Sequence, residues 1–449
     1  MTQFTALLAS SFVGLALAAA PPVTPEDGLR EAAEALCQQA WEPGAWDAAA
    51  VVIAVGDEPI FTSSRGKRAE RSKEMATADA SLAASSMAHA FLSALVVQSC
   101  ARGDFALDDE LGKLIPDLVG EDCHVHVRHL LAHTSGFVDC GAQDPLDGAS
   151  DDVLWKRLQE VVKQPLVTSP GECVAPTTTD TLLLAATLER IDKRPIEEIL
   201  AKRLFEPLEM GSSRCVVEDP SAEVREASSD IVQERAVRFD PRWIETSVLD
   251  LVRFQRALID HDLFSEEDYL EMISPTRLND GTHSAFGMGL RQIRIGGIHG
   301  VRAGGVDGDV SATLAFLPEY DLTVSVIGRG DDLDAESLLS DLAMLVIAPP
   351  EAPIVDLLLE PAEMKPYLGT YQIGCTSLII RAGEGRLVLD DAVAGEMTLL
   401  NQGDHYFVVE SDRDMTLKFE LVEDHAVSFV LDDHGVETVA TRFEKGAVR

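Results

Sequence analysis

From Ala48 to Ser64 the pattern AAAVVIAVGDEPIFTSS runs apolar, breaks at a Gly-Asp pair and resumes as a second short apolar run, which predicts a β-hairpin. Apolar positions then recur at helical spacing in Leu82–Arg102, Asp152–Lys163, Thr179–Ile191, Ile196–Leu204, Val248–Asp260 and Glu266–Ile273. Strand patterning returns in QIRIGGI, SATLAFL and LTVSVIG, the last two joined by the PEYD turn at Pro318–Asp321, and predicts three antiparallel strands. An amphipathic helix follows at Glu336–Ile347. Strands at both ends of a long, mostly helical stretch predict an α+β fold, in which one antiparallel sheet flanked by helices carries a helical insertion.

The Pro-rich segment APPEAPIVDLLLEP (Ala348–Pro361) punctuates a boundary. Beyond it, YLGTYQI, SLIIRAG, RLVLDDA, HYFVVES, MTLKFEL and AVSFVLD alternate over short spans joined by Gly and Asp turns, which predicts a small all-β barrel or sandwich. The expected division is a leader over 1–20, one domain over 21–350 and a C-terminal antiparallel β-domain over 363–449.

Charge narrows the partners. The 37 basic and 76 acidic residues give a formal charge of −39, which repels phosphate backbones and anionic lipid surfaces, so nucleic-acid binding is not expected. The apolar run Ala6–Ala20, with small residues at Ala16, Ala18 and Ala20, has the form of a secretory signal peptide, although no Lys or Arg precedes Arg30. It is too short for a good membrane span. Export to the periplasm or medium is therefore expected, with no stable membrane insertion once the leader is removed. The seven cysteines match no CxxC-type zinc or redox pattern, and in an oxidising compartment they predict one or more structural disulfides, with at least one thiol left over. Asp307 and Asp309 flank a glycine, but two acids in a turn fall far short of a coordination shell, and neither a metal nor another cofactor is expected.

RGDFALDDELGKLIPDL followed by VHVRHLLAHTSGF resembles the segment after the active-site helix in serine β-lactamase-related proteins of the class C type, a group that includes DD-peptidases and esterases. The block from SPGEC to LFEPLEMGSS, the segment AFGMGLRQI and the stretch AGGVDGDVSATLAFLPEYDLTVSVIG resemble later parts of the same family, in the same order, over about Ala48–Ile347. The C-terminal segments resemble the lipocalin-like β-domain often appended to such proteins. The resemblance implies three elements of an acyl-transfer site. A Ser at a helix N-terminus attacks an acyl carbon, and a Lys three residues on shares its helix face and takes its proton. A Tyr in a YxN loop assists that transfer, and a KTG or HxG strand supplies a cation and an oxyanion N–H.

Counting back from Gly103, taken as the helix C′ glycine, places the nucleophile at Ser86 and the Lys position at His89, in LAASSMAHAFLSALV. The Pro170-Gly171 pair places the Tyr position at Pro176 and the Asn position at Thr178, a substrate-binding candidate. The third element falls on Arg302-Ala303-Gly304, with Arg302 suited to a substrate carboxylate and the N–H groups of Gly305 and Ser86 as oxyanion donors; His299 is the alternative cation in a shifted register. Ser64-Arg65-Gly66-Lys67 also spells SxxK but lies on the exit of the hairpin and is assigned to a turn. His133, Thr134 and Ser135 in HTSG read as loop side chains that satisfy backbone groups.

Two functions follow. One is a divergent serine hydrolase, acting on esters, amides or peptides through an acyl-enzyme on Ser86 with His89 as base. The other is a catalytically inactive pseudoenzyme that binds a peptide or carboxylate ligand in the retained cleft. The expected partner is a small molecule or peptide, and the sequence leaves the oligomeric state open.

Overall fold

The computed structural model describes residues 26–41, 46–67, 75–141, 151–215, 244–330, 334–347, 356–373, 376–391, 395–422, 424–433 and 435–443. The expected leader over 1–20 and most of the Pro-rich boundary lie outside them. After helix α1 (Glu26–Ala40) come the hairpin strands β1 (Ala48–Val55) and β2 (Glu58–Gly66) and helices α2 (Ala88–Ala101), α3 (Asp151–Val161), α4 (Thr178–Asp192), α5 (Val248–Ile259) and α6 (Glu266–Ile273). Strands β3 (Arg291–Ile295), β4 (Ile298–Asp307), β5 (Val310–Leu317) and β6 (Leu322–Arg329) and helix α7 (Ala335–Met344) complete the first part.

The six strands form one antiparallel sheet in the order β2-β1-β6-β5-β4-β3, so the first hairpin pairs with the last strand across the whole helical insertion. Strand β1 is buried on both faces, which is why it reads as a continuous apolar run and not as an alternation. Ala50, Val52 and Ala54 face the core built around α2, whereas Ala49, Val51 and Ile53 face the core made with α1 and α7. The sheet therefore sits between two helical layers, with α2 buried nearly all round against it.

Two expectations change. Four late strands are present instead of three: QIRIGGI holds β3 from its second residue, the turn at Gly296 and Gly297, and the first residue of β4. Strand β4, IHGVRAGGVD, escapes pattern reading because its glycines and lone charges break the alternation. The helix expected from Leu82 begins later. Leu82 and Ala83 pair with Thr246 and Glu245, Ser85–Met87 form one 3₁₀ turn, and only then does α2 run to Ala101. Gly103, at φ +76°, takes the left-handed position after the helix end.

The C-terminal part is a closed eight-stranded antiparallel barrel, β7 (Gly369–Ile373), β8 (Thr376–Ala382), β9 (Leu387–Asp391), β10 (Gly395–Gly403), β11 (Tyr406–Val409), β12 (Met415–Val422), β13 (His425–Asp433) and β14 (Val436–Arg442). Closure leaves no sheet edge. The six expected segments are strands, and β10 and β14 are additional. The interior is filled with side chains: Tyr371, Phe407, Phe419 and Phe429 meet at ring-centroid separations of 5.0–5.9 Å.

Candidate active site

Ser86 stands in the 3₁₀ turn that leads into α2, between buried Ser85 and Met87. Its Oγ donates to the carbonyl of Ala312 at 2.9 Å. Ala312 is the β5 partner of Gly305, so the expected nucleophile and the expected oxyanion donor lie at the same point of the sheet. Gly304 makes that approach feasible. Its φ is +85°, and a Cβ there would come within 2.0 Å of the Ala312 oxygen and 2.9 Å of Met87 Sδ.

His89 is one turn further along, and the structure gives its ring other partners. Nε2 lies 3.1 Å from the carbonyl of Leu131 and Nδ1 lies 3.1 Å from Thr181 Oγ1. A carbonyl only accepts, so Nε2 carries the proton and Nδ1 receives the Thr181 hydroxyl. Both ring nitrogens are then in use, and neither is bonded to Ser86. Burial lowers the pKa of His89 to about 3, helped by the neighbouring His133.

His133 stacks on His89 with ring centroids 3.8 Å apart. Its Nδ1 lies 3.0 Å from Asp180 Oδ2, and Ser135 Oγ donates to Asp180 Oδ1 at 2.5 Å. Asp180 has no exposed surface. Burial raises its carboxyl to about 7, against the opposing Ser135 bond, while burial lowers His133 to about 4. Oδ2 and Nδ1 thus share a proton in an uncharged pair, as buried partners require. His133 itself is held at φ +54°, with its carbonyl accepting from Ala175 N at 2.7 Å. The HTSG motif is a support, as its sequence suggests: Ser135 also accepts from Phe137 N.

The loop that precedes α4 fixes the second element. Thr177 caps the helix by accepting from Asp180 N, which makes TTTD an N-cap sequence and accounts for the placement of Asp180. The T-x-x-D spacing of Thr177 and Asp180 is the signal in the sequence for that placement. Pro176 is exposed on this loop, next to His133, with no hydroxyl to offer. Thr178 N donates to Asp139 Oδ1 at 2.9 Å, which ties Thr178 to the loop after HTSG.

Arg302 is placed elsewhere. Its neighbours Val301 and Ala303 belong to the core around α2, whereas its β5 partner Ala315 belongs to the opposite core. Strand alternation therefore turns the side chain to the far face of the sheet, where Nη1 donates to Glu336 Oε2 of α7 at 2.5 Å. His299 lies five residues from Gly304 on β4, against the barrel residue Gly435. Ser64 sits on β2 and donates to Ala76 O, away from any helix start. Cys37, Cys100, Cys123, Cys140 and Cys215 are free thiols, and Cys173 is disulfide-bonded.

The family model described as Beta-lactamase matches residues 33–346. Penicillin-binding protein 4* of Bacillus subtilis (strain 168) is 21% identical over 430 residues, spanning 87% of this chain and 94% of that one. Among solved structures, the octameric penicillin-binding protein homologue from Pyrococcus abyssi superposes with a TM-score of 0.58 at 16% identity, covering 98% of this chain and 100% of that one. The D-amino acid amidase from Ochrobactrum anthropi SV3 gives 0.56 at 18% identity over 71% and 98%. The chain belongs to the Beta-lactamase family, with the antiparallel-sheet fold of the penicillin-binding proteins followed by a C-terminal eight-stranded barrel.

Proposed function

We propose that this protein keeps the ligand cleft of its hydrolase family and binds a peptide-like or amide-like small molecule there without turning it over. The observation that carries this reading is the hydrogen bonding of His89. A general base must present a lone pair to the serine proton, and the lone pair of His89 is engaged by Thr181. A conjugate acid with a pKa of about 3 is also far from the range that drives proton abstraction near neutrality. Pro176 supplies no hydroxyl for a relay, and Ser86 spends its own proton on a carbonyl, which cannot take it away. The ligand class is taken from the related proteins, among them an amidase and penicillin-binding proteins.

One observation favours a second reading, a slow serine hydrolase acting on esters or amides. Ser86 and Gly305 converge on Ala312, as a nucleophile and its oxyanion donor would. The experiment is exposure of the purified protein to a fluorophosphonate and to a fluorescent penicillin, with Ser86→Ala as control. The expected result is no Ser86-dependent adduct and no hydrolysis of short-chain esters between roughly pH 6 and 9, the range in which a histidine base would work. A Ser86-dependent adduct replaces the first reading with the second. A His89→Lys, Pro176→Tyr double variant that acquires the adduct identifies the two substitutions as the cause of silence.

A further inference from the structure

Arg291 and Arg302 are cross-strand partners on β3 and β4, so two guanidinium groups lie side by side on one face of the sheet. Both are largely buried, with 24% and 17% of their side chains exposed. Two adjacent cations there require two anions. The first domain supplies one, Glu336 on α7, which pairs with Arg302. The barrel supplies the rest: Asp433, at the end of β13, places both carboxylate oxygens 2.7 Å from Arg291 Nη2, and the charge of Asp412 acts on both guanidinium groups.

That contact is the centre of a polar seam between barrel and sheet edge. Arg294 Nη1 lies 3.4 Å from Asp432 Oδ2, Gly297 N donates to Asp414 Oδ1 at 3.0 Å, and Thr438 Oγ1 donates to the His283 carbonyl at 3.2 Å. The guanidinium of Arg291 also lies over Phe286, 5.9 Å from the ring centroid, and Phe286 meets His133 edge-on at 6.1 Å. Phe286 thus links the seam to His133, which stacks on His89.

Asp433 fills its place imperfectly. A guanidinium binds a carboxylate best through two parallel bonds from its fork. Here a single nitrogen serves both oxygens, and the buried Nε of Arg291 has no partner among the described residues. A carboxylate free to align along the fork would satisfy Nε as well. We infer that the Arg291–Arg302 pair is a carboxylate seat occupied in cis by Asp433, and that a free carboxylate, small or at a peptide C-terminus, exchanges with it and releases the β13–β14 hairpin from the sheet edge. The seat is on the opposite face from Ser86 and stands whether or not Ser86 is acylated.

The test uses the full chain and two probes, sodium acetate and N-acetyl-glycyl-glycine, with sodium chloride at equal ionic strength and the C-terminal amide of the peptide as controls. Binding is read by calorimetric titration, and hairpin release by hydrogen exchange over residues 425–442. Asp433→Ala is expected to bind a carboxylate probe several-fold more tightly than the native chain, and the Arg291→Met, Asp433→Ala double variant to lose that gain. In the native chain the carboxylate, but neither control, is expected to speed exchange in the hairpin. Binding of both probes assigns the seat to any carboxylate, and binding of the peptide alone assigns it to a chain terminus. If Asp433→Ala binds neither probe better than the native chain, or the double variant binds equally well, the inference is overturned. Asp433→Asn, which keeps the shape of the side chain, repeats the comparison should the alanine variant misfold.

Discussion

Ser86, in the 3₁₀ turn that leads into α2, and His89, in the first turn of α2, stand three residues apart, and their surroundings differ in kind. The hydroxyl of Ser86 bonds to backbone, a carbonyl of β5 beside Gly304 and Gly305, where β4 closes on the helix. His89 is embedded in side chains, between Thr181 and the ring of His133, with Asp180 and Ser135 behind. The first environment is fixed by the sheet, and any residue small enough would fit it. The second is a network whose members satisfy one another, so a change at one is felt by all. A histidine at the position where the sequence reading expects a lysine is therefore more than an exchange of one base for another. It draws the position into the packing of HTSG against α4 and away from the serine.

The largest effect is expected where that network is most buried. Asp180→Ala leaves His133 and Ser135 without their shared acceptor and should lower the free energy of unfolding by roughly 3 kcal/mol, the scale of breaking a buried pair, measured by urea denaturation. Ser86→Ala, by contrast, removes a donor from a carbonyl already in a sheet and should cost only about 1 kcal/mol. Equal losses at the two positions would erase the distinction drawn between them.

The pH dependence separates the members of the network. His89 and His133 titrate near 3 and 4 in the folded chain, below the ordinary histidine value of 6.5, so their contribution is present above about pH 6.5 and is lost as pH falls through 4 and 3. Asp180 titrates near 7, above its ordinary 3.8, so its contribution is present below about pH 4 and is lost as pH rises through 7. The two trends oppose each other between pH 4 and 7. Asp180→Asn removes the offset, and its stability should fall more steeply with acid over that window than that of the native chain. A parallel pair of curves would mean that the carboxyl does not hold its proton there.

An effect as small as that at Ser86 tests the lone pair directly. Thr181→Val deletes the hydroxyl that donates to His89 Nδ1 and should cost about 1 kcal/mol. Its nitrogen NMR signature is the sharper readout: Nδ1 should shift toward a free, unbonded imidazole nitrogen while Nε2–H stays on Leu131. An unchanged Nδ1 resonance would show that Thr181 is not its partner.

Much of this was legible before any coordinates. AAAVVIAVGDEPIFTSS announces the β1–β2 hairpin, and HLLAHTSG and LFEPLEMGSS carry the family resemblance that the matched residues 33–346 bear out. Gly103 was legible as the residue that follows the end of α2, where its φ is +76°. What escaped was β4, because glycine carries no periodicity, and the side of the sheet that Arg302 faces, because a one-residue change of register reverses every side chain of a strand.

The sequence by itself determined the sheet-and-helix architecture, the appended all-β unit and the family. These depend on local pattern and on the order of motifs along one chain. Only the tertiary structure decided that His89 bonds to Thr181 and Leu131 instead of Ser86, that Arg302 belongs to Glu336, and that the barrel is docked through Asp433 and Arg291. The physical reason is the same in each case: a hydrogen bond or ion pair is a contest among every donor and acceptor within about 3 Å, and residues far apart in sequence reach that distance only when the chain is folded.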